Sequence, residues 1–231
     1  MKPSGASLLE RLQGIIERSY AMHTGIREVG KFVVGDAGYR RLYSKADILQ
    51  RVSSGDAAEP LPRLLLRASG PGAEALRAVI YYPDALVRRL EAHPPTRGLD
   101  ERNIDDFAAF VEELDHLLCV AQRVREGIPF SLLELELHAN VTKYLAAELF
   151  LSLTRGVGWM GEAERSWLRY HLFDKRDFVE ADSEVRSRYR DAARYGWRFL
   201  AGIEGLPAGR RLAALREFHH RTHHQKLAHL N

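Results

Sequence analysis

One stretch of the chain, residues 107–118 (FAAFVEELDHLL), carries acidic and histidine side chains at a spacing that could hold a metal ion. Because an α-helix has about 3.6 residues per turn, Glu112 and His116 fall on one face, with Glu113 beside them. Carboxylates and imidazoles bind divalent metals, and a carboxylate beside a bound metal can act as a general base. The spacing matches the zinc-binding pattern H-E-x-x-H, except that Glu112 takes the place of the first histidine.

A further glutamate follows on the next predicted helix. The chain breaks at residues 127–129, and Ser131 with Glu134 then has the pattern of a capping box, which gives Glu134 a structural role. Glu136 has no such local role and follows His116 by 20 residues. Glu136 is thus an acidic residue on this helix that the capping pattern does not explain.

Helical periodicity dominates the sequence that must position these residues. Apolar residues recur at helical spacing over residues 7–22 and again over 107–121. A glycine-containing turn is expected at 35–38, followed by a short helix over 39–52. At the other end, residues 189–227 have the pattern of a helical hairpin. These patterns predict a mainly helical protein.

A β-hairpin is predicted just before the motif helix. The short apolar runs 63–68 and 76–82 flank the glycine and proline residues at 70–72, as in two strands joined by a turn. The expected fold class is therefore α+β and mainly helical. In it a small hairpin or sheet packs on a central helix pair, and additional helices follow at the C-terminal end.

Together these features resemble the zincin metallopeptidases whose third ligand is glutamate, in particular the regulatory peptidases of the phage-immunity and radiation-response kind. That family has Ala-Asn and then Ala-Ala-x-Leu-Leu after the glutamate, and residues 139–140 and 146–150 are similar. The hairpin is similar to the family's small sheet. The resemblance implies three portions: a helical segment (1–58), a zincin-like core (59–160) and a C-terminal helical region (161–231).

The resemblance also implies roles for individual residues. His116 would be the second zinc ligand, Glu136 the third, and Glu113 the base that activates water. Glu112 departs from the family pattern, as does Asp115, which replaces a residue that is usually small. With two carboxylates and one imidazole, iron or manganese would compete better with zinc. We expect a degenerate site in a non-catalytic binding or regulatory module, with zinc or another divalent metal as the possible cofactor.

Two other functions stay open from the sequence. One is a metal-dependent hydrolase, a peptidase, that uses Glu112, His116 and Glu136 with Glu113 as base. The other is a helical di-iron or cofactor-binding protein, because Glu113 and His116 form one Glu-x-x-His unit of the ferritin type. A second such unit is missing from the sequence.

Histidines outside the motif have simpler interpretations. Five of the ten lie in the last 13 residues, where the pairs His219/His223 and His220/His224 have the spacing of metal ligands on a helix. We expect an exposed amphipathic helix there rather than a metal site. His171 is interpreted as a half-buried structural histidine, with a role beside a peptidase cleft as the alternative.

Composition limits the classes of protein and partner. The chain has 231 residues, 45% hydrophobic and 28% charged, which is ordinary for a globular protein. Its one cysteine, Cys119, excludes an internal disulfide, and no apolar run has the length of a membrane span. The N-terminal residues do not resemble a signal peptide, which favours the cytoplasm. Since the net charge is only +3, nucleic acid is not an expected partner. We expect a protein or peptide partner and no membrane.

Overall fold

A computed structural model describes most of the chain. The ranges it covers are residues 6–43, 50–51, 61–69, 75–156, 160–175 and 182–230. Most of these residues are helical, and the strands form one small sheet, so the expected α+β, mainly helical class is confirmed. No helix in these ranges is long and apolar enough to cross a membrane.

The described part of the chain contains nine α-helices. In chain order they are α1 (Leu8–Tyr20), α2 (Asp36–Tyr43), α3 (Asp84–Ala92), α4 (Ile104–Glu126), α5 (Leu132–Arg155), α6 (Glu162–Arg169), α7 (Ser183–Ile203), α8 (Ala208–His220) and α9 (His223–Leu230). Short 3-10 turns lie at Val29–Phe32 and Pro95–Arg97, and a π-helical turn at Tyr170–Asp174 follows α6.

The sheet is built around the predicted hairpin. Its strands are β1 (Val33–Val34), β2 (Gln50–Arg51), β3 (Arg63–Ser69) and β4 (Ala75–Tyr81), in the order β1-β4-β3-β2. Strands β3 and β4 are antiparallel, with Leu64 opposite Ile80, whereas β1 runs parallel to β4. The predicted turn residues 70–72 lie outside the described residues. Because side chains alternate along a strand, Leu64 and Leu66 reach the core beneath the sheet.

Helices α4 and α5 form the centre of the molecule. Both are buried around most of their circumference, since the sheet and α1 pack on α4 while α7 packs along α5. Helix α8 packs on α1. At one close approach, Gly196 of α7 leaves room for Asn140 of α5, because a Cβ at position 196 would lie 3.0 Å from the Asn140 Cβ. Such burial on several sides explains why the polar residues of α4 and α5 become important.

The glycine turn predicted at residues 35–38 is wrong, because α2 begins at Asp36. The amide of Asp36 donates to Oδ1 of Asp84, and the amide of Asp84 donates to Oδ1 of Asp36. The Tyr81 hydroxyl also donates to Asp36 Oδ1 at 2.8 Å. These contacts satisfy the first amides of two helices at once, and a local sequence pattern does not contain them. Of the helix predicted over 39–52, residues 39–43 belong to α2, whereas 50–51 form β2 on the edge of the sheet, so the prediction is wrong there. Residues 44–49 and 52 lie outside the described part.

The start of α5 agrees with the sequence pattern in one respect and differs in another. Ser131 Oγ accepts the amide of Glu134 at 3.1 Å, as predicted for an N-cap. The Glu134 carboxylate, however, is bound by Arg123 and Lys226. Glu134 therefore has a structural role, as expected. Its amide binds the N-cap residue, and its carboxylate forms a buried ion pair.

The two helices of the predicted C-terminal hairpin are present as α7 and α8, whose Phe199 and Phe218 rings stack, but the expected exposed histidine helix is not. The helix ends at His220 and a new one starts at His223, so the predicted i, i+4 pairs are interrupted. His219 is 2% exposed, because it points into the centre of the molecule, whereas His220 and His224 are exposed. The side chains of His223 and His229 lie outside the described residues.

Candidate metal centre

Ionisable and polar side chains are concentrated in the interior between α4 and α5. The buried ones are Glu112, Glu113, Asp115, His116, Gln122 and Arg123 on α4, and Glu134, Glu136, His138, Asn140, Thr142 and Lys143 on α5. Burying a charged group is costly unless an opposite charge or hydrogen bonds compensate it. Such a concentration in a core marks a candidate functional site.

The structure brings the three predicted ligands together. One ligand atom from each of Glu112, His116 and Glu136 lies within 4.8 Å of those of the other two, and all three side chains are buried. His116 Nε2 is 3.8 Å from Oε2 of Glu136. We refer to these three residues as the Glu-His-Glu cluster. Glu113, the predicted base, does not belong to it.

Lys143 is part of the same site, although the sequence did not indicate it. Its Nζ lies 2.8 Å from Oε2 of Glu112, and the two side chains are 1% and 10% exposed. Lys143 lies near the middle of α5, one turn after Asn140, and its ammonium group is buried between the two helices. Glu112, at the position predicted for the first metal ligand, is thus already paired with a cation.

His116 has an unusual environment for a buried histidine. Its side chain is inaccessible to solvent, and within the described residues neither ring nitrogen has a hydrogen-bond partner. Burial lowers the pKa of the imidazole, with Glu112 and Asp115 opposing and Lys143 reinforcing that shift. The neutral ring therefore keeps a lone pair available, as a metal ligand requires.

The Glu-His-Glu cluster has donor groups that suit a divalent cation, but one of its carboxylates is already paired with another cation. Two carboxylates and a neutral imidazole are suitable donors, and the His116 nitrogens are not engaged by hydrogen bonds. The Lys143 ammonium, however, already compensates the charge of Glu112. A catalytic metal also needs a position open to substrate, and the three side chains are at most 10% exposed.

A second buried cluster lies on the next face of α4. It contains Cys119, His138 and His219, whose ligand atoms also lie within 4.8 Å of one another. Cys119 Sγ is 3.3 Å from His138 Nδ1, and His219 Nδ1 is 3.1 Å from His138 Nε2. We call these three residues the Cys-His-His cluster. It joins α4, α5 and α8.

Asp115 holds the imidazole of His138 in this second cluster. Its Oδ2 lies 2.9 Å from His138 Nδ1, while Thr142 Oγ1 donates to Asp115 Oδ1 at 2.8 Å. The hydroxyl groups of Tyr20 and Thr142 are 2.9 Å apart. These bonds connect α1, α4 and α5 through one buried network.

This network is not built as a cysteine-protease triad. In a triad the histidine uses one nitrogen for the nucleophile and the other for the carboxylate. Here the same Nδ1 of His138 faces both Cys119 and Asp115, and Nε2 faces His219. Burial and the charge of Asp115 also raise the pKa of the Cys119 thiol well above its usual value, which disfavours the nucleophilic thiolate.

Beyond the Cys-His-His cluster, a buried ion pair lies between α4 and α5. Oε1 of Glu134 accepts from Arg123 at 2.6 Å and from Lys226 of α9 at 2.7 Å. Burial alone would raise the pKa of the Glu134 carboxyl, but Lys226 and Arg123 outweigh it and hold that pKa below its ordinary value. Burial lowers the pKa of Lys226 despite this pairing. The ion pair thus favours the charged carboxylate and ties α9 to α4 and α5.

His171 is more buried than expected but has a structural contact. Its Nε2 lies 3.0 Å from Oε1 of Glu101, which also accepts from Trp167 Nε1 at 2.9 Å. The His171 side chain is 2% exposed, in contrast to 70% for Glu101. We therefore assign His171 to the packing of the π-helical turn and not to the Glu-His-Glu cluster.

Sequence reasoning missed Lys143, His138 and His219 as members of these sites. For His138 a signal exists, since it follows Glu134 by one helical turn and therefore shares a helix face with it. A lysine flanked by Val141, Thr142 and Tyr144 is likewise unexpected in a buried stretch. His219 has no comparable local signal, because its partners are distant in the sequence.

Comparisons with known proteins find no relative of this chain. The chain matches no protein-family model, and no curated protein or solved structure is significantly similar to it.

Proposed function

We propose that the protein is a non-catalytic binding or regulatory module with a zincin-like core, in which Lys143 supplies the positive charge that a metal ion supplies in an active peptidase. One observation carries the proposal. The Lys143 ammonium contacts Glu112 at 2.8 Å, and both side chains are buried. The residue in the position of the first zinc ligand thus has its counter-charge from the protein.

Electrostatics favours this exchange of a metal ion for an ammonium group. A divalent ion about 4 Å from an ammonium would be repelled by roughly 8 kcal/mol at an effective dielectric constant near 20. Since Lys143 Nζ bonds directly to Glu112, a metal ion bound by Glu112 would come about this close. Metal binding there would require the lysine to move or lose its proton.

The surroundings of Glu113 also argue against hydrolysis. Glu113 is 3% exposed and lies outside the Glu-His-Glu cluster. Burial raises the pKa of Tyr82, and the negative charge of Glu113 raises it further. The Tyr82 hydroxyl donates to the backbone oxygen of Phe110. A base that activates water for a peptide substrate must reach both water and substrate. Glu113 instead lies near the end of β4.

For the binding function we propose an apolar segment of a partner protein as the ligand. A groove of about 700 Å³ lies between α1, α5 and α8, and its lining is mainly apolar. Leu153 at this groove is 59% exposed, and Ser19 and Ser152 offer polar groups to a peptide backbone. The floor includes Tyr20 and Thr142, which connect to Asp115. A segment bound there would contact Tyr20 and Thr142, and through them the buried hydrogen-bond network of Asp115.

The second candidate function is the metal-dependent hydrolase. It is favoured by His116, whose ring nitrogens have no hydrogen-bond partner within the described residues. A metal ion between His116 and Glu136 would satisfy one of them. This function requires Lys143 to release Glu112.

Metal analysis of protein purified without an affinity column separates the two functions. We expect the parent, His116→Ala and Glu136→Gln to contain equal amounts of metal, and the parent not to cleave a peptide library. A parent whose stoichiometric metal disappears in both variants would overturn the proposal and favour the hydrolase.

A constructive variant tests the role of the lysine. In a Cys119→Ser background, which removes the only thiol, Lys143→Met is expected to gain about one divalent ion per chain at the Glu-His-Glu cluster. Lys143→Arg keeps the charge and serves as the matched control. Equal metal binding by both variants would contradict a role for the ammonium charge.

A further inference from the structure

The Cys-His-His cluster has a chemistry that the proposed function does not use. Cys119, His138 and His219 are each 5% exposed or less, and they come from α4, α5 and α8. A thiol and two imidazoles are the donors that structural and catalytic zinc sites use. Their convergence from three helices is a property of the tertiary structure and not of one helix face.

The ligand atoms of this cluster lie near the spacing that a single ion requires. Ligand atoms at about 2.0 to 2.3 Å from zinc in a tetrahedron lie about 3.3 to 3.8 Å from one another. Cys119 Sγ is 3.3 Å from His138 Nδ1, and His219 Nδ1 is 3.1 Å from His138 Nε2. One ligand atom from each residue lies within 4.8 Å of those of the other two. Because Cys119 and His219 face opposite nitrogens of His138, an ion bound to Nε2 requires Cys119 Sγ to move from the Nδ1 side of the ring towards His219.

We propose that Cys119, His138 and His219 form a zinc-binding site, in which Asp115 positions His138 as a second-shell partner. In this arrangement Asp115 Oδ2, 2.9 Å from His138 Nδ1, accepts a hydrogen bond from the N–H at that nitrogen. This leaves Nε2, the nitrogen that faces His219, to bind the metal. Histidine ligands of zinc commonly donate their other N–H to a carboxylate in this way.

Binding of zinc to this site has a defined proton balance. The Cys119 thiol loses its proton to solvent as the sulfur–zinc bond forms, so one proton is released for each ion bound. Burial raises the pKa of the free thiol, whereas Lys226 and Arg123 favour the thiolate. His219 is neutral before binding, because burial first and then His138, Lys226 and Arg123 lower its pKa to about 2. It therefore need not lose a proton.

The charges around the site are compatible with a divalent ion. Asp115 contributes a negative charge beside His138, and the thiolate contributes a second one once zinc is bound. The nearest cations, Arg123 and Lys226, are both hydrogen-bonded to Glu134. In the Glu-His-Glu cluster, by contrast, an ammonium contacts one of the ligands directly.

Zinc at this position would fasten the C-terminal helices to the centre of the molecule. His219 lies at the end of α8, which also contacts the central pair where Arg123 donates to the backbone oxygen of His219. An ion shared by α4, α5 and α8 cross-links them. Three protein ligands leave the fourth position to water or another small ligand.

The experiment loads the full chain, purified without an affinity column and treated with a chelator, with zinc and then measures zinc per chain after dialysis. We expect about one zinc in the parent, with release of about one proton in an unbuffered titration. Cys119→Ser and His219→Gln should lose this zinc. Asp115→Asn should bind roughly 10- to 100-fold more weakly, as expected for a second-shell partner.

Two matched controls test whether the effect is specific. His220→Gln removes the exposed neighbour of His219, and His116→Gln alters the Glu-His-Glu cluster; both should keep the zinc. Cobalt(II) in place of zinc should give a sulfur-to-cobalt absorption band in the near ultraviolet for the parent and His116→Gln, but not for Cys119→Ser. Circular dichroism of each variant shows that a loss of zinc occurs in a folded protein.

Several results would overturn the zinc site. They are the lack of stoichiometric zinc in the parent, zinc binding that survives both Cys119→Ser and His219→Gln, and a loss caused by His220→Gln. If Cys119→Ser fails to fold, His219→Gln and the cobalt spectrum of the parent decide alone. A zinc that depends on His116 rather than Cys119 would contradict both this site and the metal-free role proposed for the Glu-His-Glu cluster, whereas zinc dependent on neither overturns only this site.

Discussion

The Nζ atom of Lys143 lies 2.8 Å from Oε2 of Glu112, inside the helix pair α4 and α5. This contact places a protein cation on the residue that replaces the first histidine of a zinc-peptidase motif. A buried pair of this kind is costly to break, because each charge then lacks its partner in a region of low polarity. The pair therefore determines both the stability of the core and the access of a metal ion to it.

The first prediction concerns this ion pair. Lys143→Met leaves a buried carboxylate, and Glu112→Gln a buried ammonium, so each should lower the free energy of unfolding by about 3–5 kcal/mol. The double variant Glu112→Gln/Lys143→Met has no charge left to compensate and should be less destabilised than either single variant. Urea unfolding of the four proteins measures the coupling. Additive effects would show that the two charges do not depend on each other.

The second prediction concerns the close packing of α7 on α5. Gly196→Ala places a Cβ 3.0 Å from Asn140 Cβ, so we expect a loss of about 1–3 kcal/mol in the free energy of unfolding from overpacking. Gly202→Ala in the same helix is the control, because its Cβ would meet nothing within 4 Å. There, alanine should stabilise by up to about 1 kcal/mol through helix propensity. Thermal unfolding of both variants tests the difference in sign.

The third prediction is a pH dependence that comes from Glu134. Lys226 and Arg123, against the effect of burial, lower the pKa of this carboxyl below 4.5 in the folded protein. Its contribution to stability is therefore present above the unfolded pKa and is lost as the pH falls through the folded value. We expect the parent to lose more stability between about pH 5 and about pH 3 than Glu134→Gln does.

Unfolding in urea at several pH values measures this difference. Glu134→Gln should also be less stable near neutral pH, since Arg123 and Lys226 then lie buried without a carboxylate. Parallel curves for the parent and the variant across the acid range would show that Glu134 does not carry the effect.

The fourth prediction concerns the reactivity of Cys119. The thiol is 5% exposed, and burial together with Asp115 raises its pKa. We therefore expect the native protein to react with a thiol reagent far more slowly than the urea-unfolded protein, because the thiolate is the reactive form. Zinc should slow the native reaction further if the ion binds at the Cys-His-His cluster. A native rate equal to the unfolded rate would contradict the buried environment.

Several features could be predicted from the sequence because they depend on local geometry. The period of 3.6 residues places Glu112 and His116 on one face, and the structure has both on α4. The two short apolar runs predicted the antiparallel strands β3 and β4, and Ser131 was predicted as the N-cap of α5. The turn predicted at residues 35–38 is wrong, because a helix begins at Asp36 and its first amide is bound by Asp84, 48 residues away.

By itself the sequence determined which residues share a helix face, since that follows from the helical repeat. Only the tertiary structure decided which charges and ligands meet. Lys143 reaches Glu112 because α5 folds back on α4, and His219 reaches His138 across 81 residues because α8 packs into the centre. Contacts at such separations depend on the packing of whole helices, and no local pattern of residue types contains that information.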